Sequence, residues 1–141
     1  MRASYAAKAY SSVDMSSKTD NRRPEELIVL LFDKACSCLR RASMLPVETM
    51  HELELTERLA LLEDFHKSTS KAMQIVVALR EMLDMEAGGE VSNQLADTYT
   101  LIASNIWEAS RSKNTKDLAK LFEALAELRN GWEVVANGRS G

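Results

Sequence analysis

Apolar positions in this chain fall into four stretches of helical spacing, with proline, glycine or polar breaks between them. In the first, Ile28, Leu31, Ala35, Leu39 and Ala42 recur at three- and four-residue intervals, which predicts an amphipathic helix over about 24–44. Pro24 followed by Glu25 and Glu26 suits its start, and Pro46 stops it. Leu27, Val29 and Leu30 lie off the stripe, so the first half of this helix carries more apolar surface than one core face uses. The second stretch builds from about 49 to 85 on Leu55, Leu59, Leu62, Phe65, Thr69, Ala72, Met73, Val76, Leu79 and Leu83. One helix of that length would span about 55 Å, more than a bundle of this size needs, so a break or a separate short helix is expected within 48–58.

Gly88-Gly89 is the only adjacent glycine pair in the chain. Glycine takes positive φ without steric cost, so the pair is read as the reversal between the second and third helices. The third helix is predicted over about 90–112 on Val91, Leu95, Tyr99, Ile102, Ile106 and Ala109. Asn114-Thr115 offers a polar cap for a fourth helix over about 116–136, striped by Leu118, Leu121, Phe122, Leu125, Leu128, Trp132 and Val135. No strand-like alternation, internal repeat or low-complexity tract interrupts this series. The expected fold is all-α, an antiparallel four-helix bundle over 23–137. A serine-rich arm, 1–22, precedes it with Tyr5, Tyr10, Val13 and Met15 as its apolar points, and a polar tail, 138–141, follows.

Composition narrows the function more than the fold. The 141 residues suit one domain, and the formal net charge of −3 argues against a general nucleic-acid binder while leaving room for a local basic patch. No apolar run approaches a membrane span and the N-terminus has no signal-peptide core, so the expected location is cytoplasmic, without membrane insertion. Cys36 and Cys38 sit about 200° apart around a helix axis, a poor arrangement for a disulfide or a shared metal.

Convergent reactive groups are missing. His51 and His66 are the only histidines, and no His-x-x-x-His or Glu-x-x-His pair exists. The serines lack a nucleophile-elbow setting, and the glycine pair is no phosphate loop. Glu81, Asp84, Glu86 and Glu90 are read as a solvated loop, Met73, Met82 and Met85 as core residues, and Trp107 and Trp132 as core or groove lining. The expectation is a protein that binds rather than catalyses, with no cofactor and no metal.

Several segments match one family in order. Ala9-Tyr10 with Val13 comes first, then Arg23-Pro24-Glu25-Glu26-Leu27-Ile28-Val29-Leu30-Leu31-Phe32-Asp33-Lys34-Ala35. Lys71-Ala72-Met73-Gln74-Ile75-Val76-Val77-Ala78-Leu79 follows, then Leu83 to Leu95 around the glycine pair with Tyr99, and last Leu118 to Leu128 with Trp132. Together they resemble the FliS family, the export chaperones of flagellin. The stretch from about 45 to 62 is longer than is usual there. The segment Ala96-Asp97-Thr98-Tyr99-Thr100 lacks a second aromatic, an absence expected to reshape that part of the surface.

The resemblance implies a cytosolic chaperone of the flagellar type III export system that binds the disordered C-terminal segment of flagellin. Masking that segment blocks premature polymerisation and keeps the subunit competent for export. The resemblance also implies an N-terminal arm able to cover part of the binding surface, and an export-gate component is a candidate second partner. The residues proposed to contact a partner are Tyr10 and Val13 in the arm, Leu27, Leu30 and Leu31 in helix one, and Ile75 and Leu79 in helix two. The rival reading is a structural helical bundle that self-associates through the same apolar surface.

Overall fold

The computed structural model describes residues 24–138, with their side chains up to Glu133. The arm, with Tyr10 and Val13, and the tail after 138 lie outside the described residues. Among the described residues four helices make up the bundle: α1 Pro24–Met44, α2 Leu55–Glu81, α3 Met85–Ser112 and α4 Thr115–Gly138. A short 3-10 segment, Val47–Glu52, joins α1 to α2. Consecutive helices are neighbours, α4 also packs along α1, and the α3–α4 seam is the sparsest of the four. Cross-helix bonds show the antiparallel course. Thr69 meets Ser110 and Arg80 meets Thr100 between α2 and α3, and Asp33 meets Arg129 between α1 and α4.

The core is one cluster fed by all four helices. Ile28, Phe32, Ala35 and Leu39 from α1 meet Phe65, Ala72, Val76 and Leu79 from α2. Tyr99 and Ile106 from α3 and Leu118 and Leu125 from α4 complete it. Phe32 and Tyr99 pack with ring centroids 6.3 Å apart. Tyr99 is fully buried and Ala96 is buried as well, while Asp97, Thr98 and Thr100 of the same segment are exposed. Phe32 and Cys36 join the α1 face, while Leu31 is only half-buried.

The expected break between helices one and two is present. Pro46 cannot donate a backbone hydrogen bond, and the chain turns into the 3-10 segment, which buried Val47 anchors to the core. The helix resumes at Leu55, where the guanidinium of Arg58 donates to the carbonyl of Leu53 at 3.0 Å. The first two turns of α2 depart from the predicted stripe. Leu55 is 65% exposed and Leu59 57% exposed, while Arg58, Leu61 and Leu62 in the same turns are half-buried and Leu61 packs against the core.

The reversal between α2 and α3 takes in residues on either side of the glycine pair as well as Gly89 itself. α2 ends at Glu81, one helical turn follows over 85–88, and Gly89 breaks the helical path before the rest of α3. Asp84 caps α3, its carboxylate accepting from the backbone N–H of Glu86 at 3.1 Å and of Ala87 at 2.9 Å. Asp84 therefore leaves the solvated acidic loop in which it was placed. Gly89, at φ 54° and ψ −129°, kinks the chain after the first turn of α3. The Ser92 hydroxyl closes the corner by donating to the Asp84 carbonyl at 2.8 Å. Met85, read as core, is exposed at this corner. At the other end of α3, Lys113 takes the left-handed conformation at φ 55°, and the Asn114 side chain accepts from the Asp117 N–H at 3.0 Å to start α4.

Candidate functional site

An apolar groove lies open to solvent between α2 and α3. It measures about 400 Å³ and is lined by Met73, Gln74 and Val77 from α2 and by Ala103, Ser104 and Trp107 from α3. Val77 is 40% exposed and Trp107 55% exposed. The groove exists because of residue size. Ala103 and Ser104 are too small to fill the space between the larger side chains beside them, so the floor stays low. Two interhelix hydrogen bonds bracket it. At one end the Thr69 and Ser110 hydroxyls are 2.8 Å apart, and at the other the Arg80 guanidinium donates to the Thr100 hydroxyl at 2.8 Å. Eleven residues of α2 separate these bonds, a span of about 16 Å, or three helical turns. The groove is thus pinned at both ends and free in the middle.

Polar groups rim this floor. The Arg111 guanidinium lies 5.6 Å from the Trp107 ring and fixes the outer face of that aromatic by cation–π attraction. His66 sits at the same end, with Nδ1 3.4 Å from the Ser110 hydroxyl and its ring edge-on to Phe65. His51 is exposed in the 3-10 segment.

A second groove, about 600 Å³, follows the other side of α2 along α1. Lys34, Cys38, Arg41, Asp64, Lys67 and Lys71 are among its lining residues. Arg41 grips Asp64 with two hydrogen bonds, 2.8 and 2.7 Å. That contact holds the Asp64 carboxyl below its usual range. The three lysines make no ion pair with any described residue.

The α1–α4 seam is closed by comparison. Arg129 donates to Asp33 at 2.6 Å and also pairs with Glu133. Arg40 lies over the Phe122 ring at 5.9 Å. Burial, reinforced by the Asp33 charge, pushes the Cys36 thiol up to about 11. Among the described residues no group of three or more metal-ligating side chains converges, and no helix is long and apolar enough to cross a membrane.

The residues proposed from sequence to contact a partner divide by depth. Leu30 is 42% exposed, while Leu27 and Leu31 are half-buried beside it on α1. Ile75 and Leu79 face the core, where they support α2 from beneath. The structure therefore does not bring these five into one surface. Sequence reasoning passed over Val77 and Ala103 and named Trp107 without locating it. The available signal was position: Val77 follows the core residue Val76 and Trp107 follows Ile106, so each apolar side chain is turned about 100° out of its helix's stripe.

Comparison with known proteins finds similarity over most of the chain. A family model described as "Flagellar protein FliS" matches residues 6–139. The flagellar secretion chaperone FliSB of Pseudomonas aeruginosa is 28% identical over 137 residues, covering 97% of this chain and 100% of that protein. The flagellar secretion chaperone FliS of Salmonella typhimurium is 28% identical over 130 residues, covering 92% of this chain and 88% of that protein. The flagellar secretion chaperone FliS of Vibrio cholerae is 28% identical over 65 residues, 46% of this chain and 48% of its own length.

Proposed function

Because the chain belongs to the FliS family, we propose that it is a cytoplasmic flagellar export chaperone that binds the disordered C-terminal segment of flagellin. Bound there, it blocks premature polymerisation and keeps the subunit competent for type III export. The observation that carries this reading is the open groove of Met73, Val77, Ala103 and Trp107, an apolar surface that the bundle does not use for its own packing. A segment that is disordered when free gains helical structure as its apolar side chains enter such a groove. Burial of those side chains offsets the entropy lost on ordering. Leu27, Leu30 and Leu31 on α1 provide a second apolar contact for a segment that wraps around the bundle. In this reading Tyr10 and Val13 act from the arm, and an export-gate component recognises the loaded chaperone.

Calorimetric titration of the whole chain with a C-terminal flagellin segment from the same organism tests the proposal. The expected result is saturable binding with a negative heat-capacity change and a gain of helical circular dichroism. Absence of binding, with the chain folded and sedimenting as a self-associated species, would favour the structural-bundle reading instead.

A further inference from the structure

The outward face of α2 changes character around its circumference. At 100° per residue, Met73 and Val77 occupy the edge beside α3, Ser70 and Gln74 the middle, and Lys67 and Lys71 the edge beside α1. Gln74 lines both grooves, so the apolar and basic channels share one wall, the width of a single helix. Lys34 faces Lys67 and Lys71 from α1. Arg41 is already paired with Asp64, whose carboxylate also feels the charge of Lys67, which leaves three lysine ammonium groups with no ion pair among the described residues in a chain whose formal net charge is −3. Positive charge is therefore concentrated along one side of the apolar groove, against the overall balance of the molecule.

We propose that the segment taken up by the α2–α3 groove is an amphipathic helix with carboxylates along the edge facing α1, and that Lys34, Lys67 and Lys71 select it. The proposal rests on the reading that the groove receives a helical segment of an export substrate, and it adds the chemistry of that segment. A helix seated between α2 and α3 has its axis about 8–10 Å from theirs. Its α1-side flank then overhangs α2, within reach of long lysine side chains. Charges at such a rim act mainly on encounter rate and partner choice, and like charge on the incoming edge is rejected. The contribution falls as salt rises because the lysines are solvated. A polyanion such as nucleic acid fits less well, since Glu63 and Glu81 stand exposed on the same face of α2, beyond the lysines at either end.

The test uses the whole chain and two designed amphipathic peptides with an identical apolar face, one edged with glutamate and the other with lysine. In low salt the glutamate-edged peptide is expected to bind at least about tenfold more tightly. That preference should collapse in high salt and in a K34E/K67E/K71E variant. Circular dichroism and melting of the variant check that it folds, as exposed positions on preformed helices allow. Equal binding of the two peptides, or a preference that survives charge reversal, would overturn the proposal. So would displacement of the glutamate-edged peptide by a single-stranded oligonucleotide, which would indicate a generic polyanion site. The flagellin segment is titrated in parallel. If it binds while the peptides are not discriminated, the chaperone reading stands and the edge-selection proposal fails; if it does not bind, the chaperone reading fails.

Discussion

Replacement of Gly89 by alanine isolates a backbone effect from a packing effect. At φ 54° and ψ −129° the residue occupies a region that L side chains rarely adopt, yet a Cβ built there meets nothing within 4 Å. The cost is therefore local strain with no clash against neighbours, about 1–3 kcal/mol. The smaller conformational freedom of the unfolded alanine chain returns roughly 0.4–1 kcal/mol of it. The expected net loss is about 1–2 kcal/mol, or a fall in melting temperature of roughly 3–8 °C for a domain of this size. Gly131 supplies the control. It is exposed within α4, has no positive φ, and also has nothing within 4 Å of its would-be Cβ. Gly131→Ala should stabilise the protein by about 0.5–1 kcal/mol through helix propensity alone. Urea unfolding followed by far-ultraviolet circular dichroism measures both. Equal stability of Gly89→Ala and wild type, or the same sign for both substitutions, would refute the assignment of the corner to a strained glycine.

Trp107→Ala should weaken flagellin-segment binding by roughly 10- to 100-fold, since the exposed half of a tryptophan offers about 140 Å² to a partner, worth about 3.5 kcal/mol if all of it were buried and less for partial cover; calorimetry measures it, and wild-type affinity would count against the groove. Leu79→Ala, at a fully buried position, should cost about 2–5 kcal/mol in urea unfolding, whereas Leu59→Ala should stay within about 0.5 kcal/mol. The Arg41–Asp64 contact should contribute stability above the ordinary carboxylate range and lose it as pH falls through the depressed Asp64 pKa. Melting temperature followed from neutral to acidic pH should therefore drop less steeply in Asp64→Asn than in wild type.

Helical periodicity located the body of every helix, because the core stripes of α3 and α4 and the second half of α2 repeat without interruption. It misjudged Leu55 and Leu59, which keep the spacing of the stripe but are exposed, while Arg58 and Leu61 beside them are half-buried. Spacing reports which side of a helix a residue occupies and says nothing of whether another element stands opposite. The glycine pair was legible as a special backbone position, and Gly89 makes the positive-φ break, but the cap that Asp84 provides ahead of it was not. A short carboxylate can start a helical turn by accepting from its backbone N–H groups, which adds one turn between the end of α2 and the glycines. The grooves were the least legible part. Each depends on what two helices leave unfilled between them, and the small size of Ala103 and Ser104 acquires meaning only once Met73 and Val77 are known to lie across from them.

The two cysteines, poorly arranged for a disulfide or a shared metal, give the molecule a built-in reporter. Cys36 is buried, and its thiol is held protonated far above neutral pH. Cys38 lines the basic groove and is only half-buried. A maleimide dye or spin label applied to the native protein should therefore attach at Cys38 alone, two residues from a position that stays silent. The label would sit on the far wall of the lysine channel, off the apolar floor, where arrival of a partner's edge changes its mobility. Occupancy of this face can thus be followed spectroscopically in the unaltered sequence, including in a crude extract where calorimetry is blind.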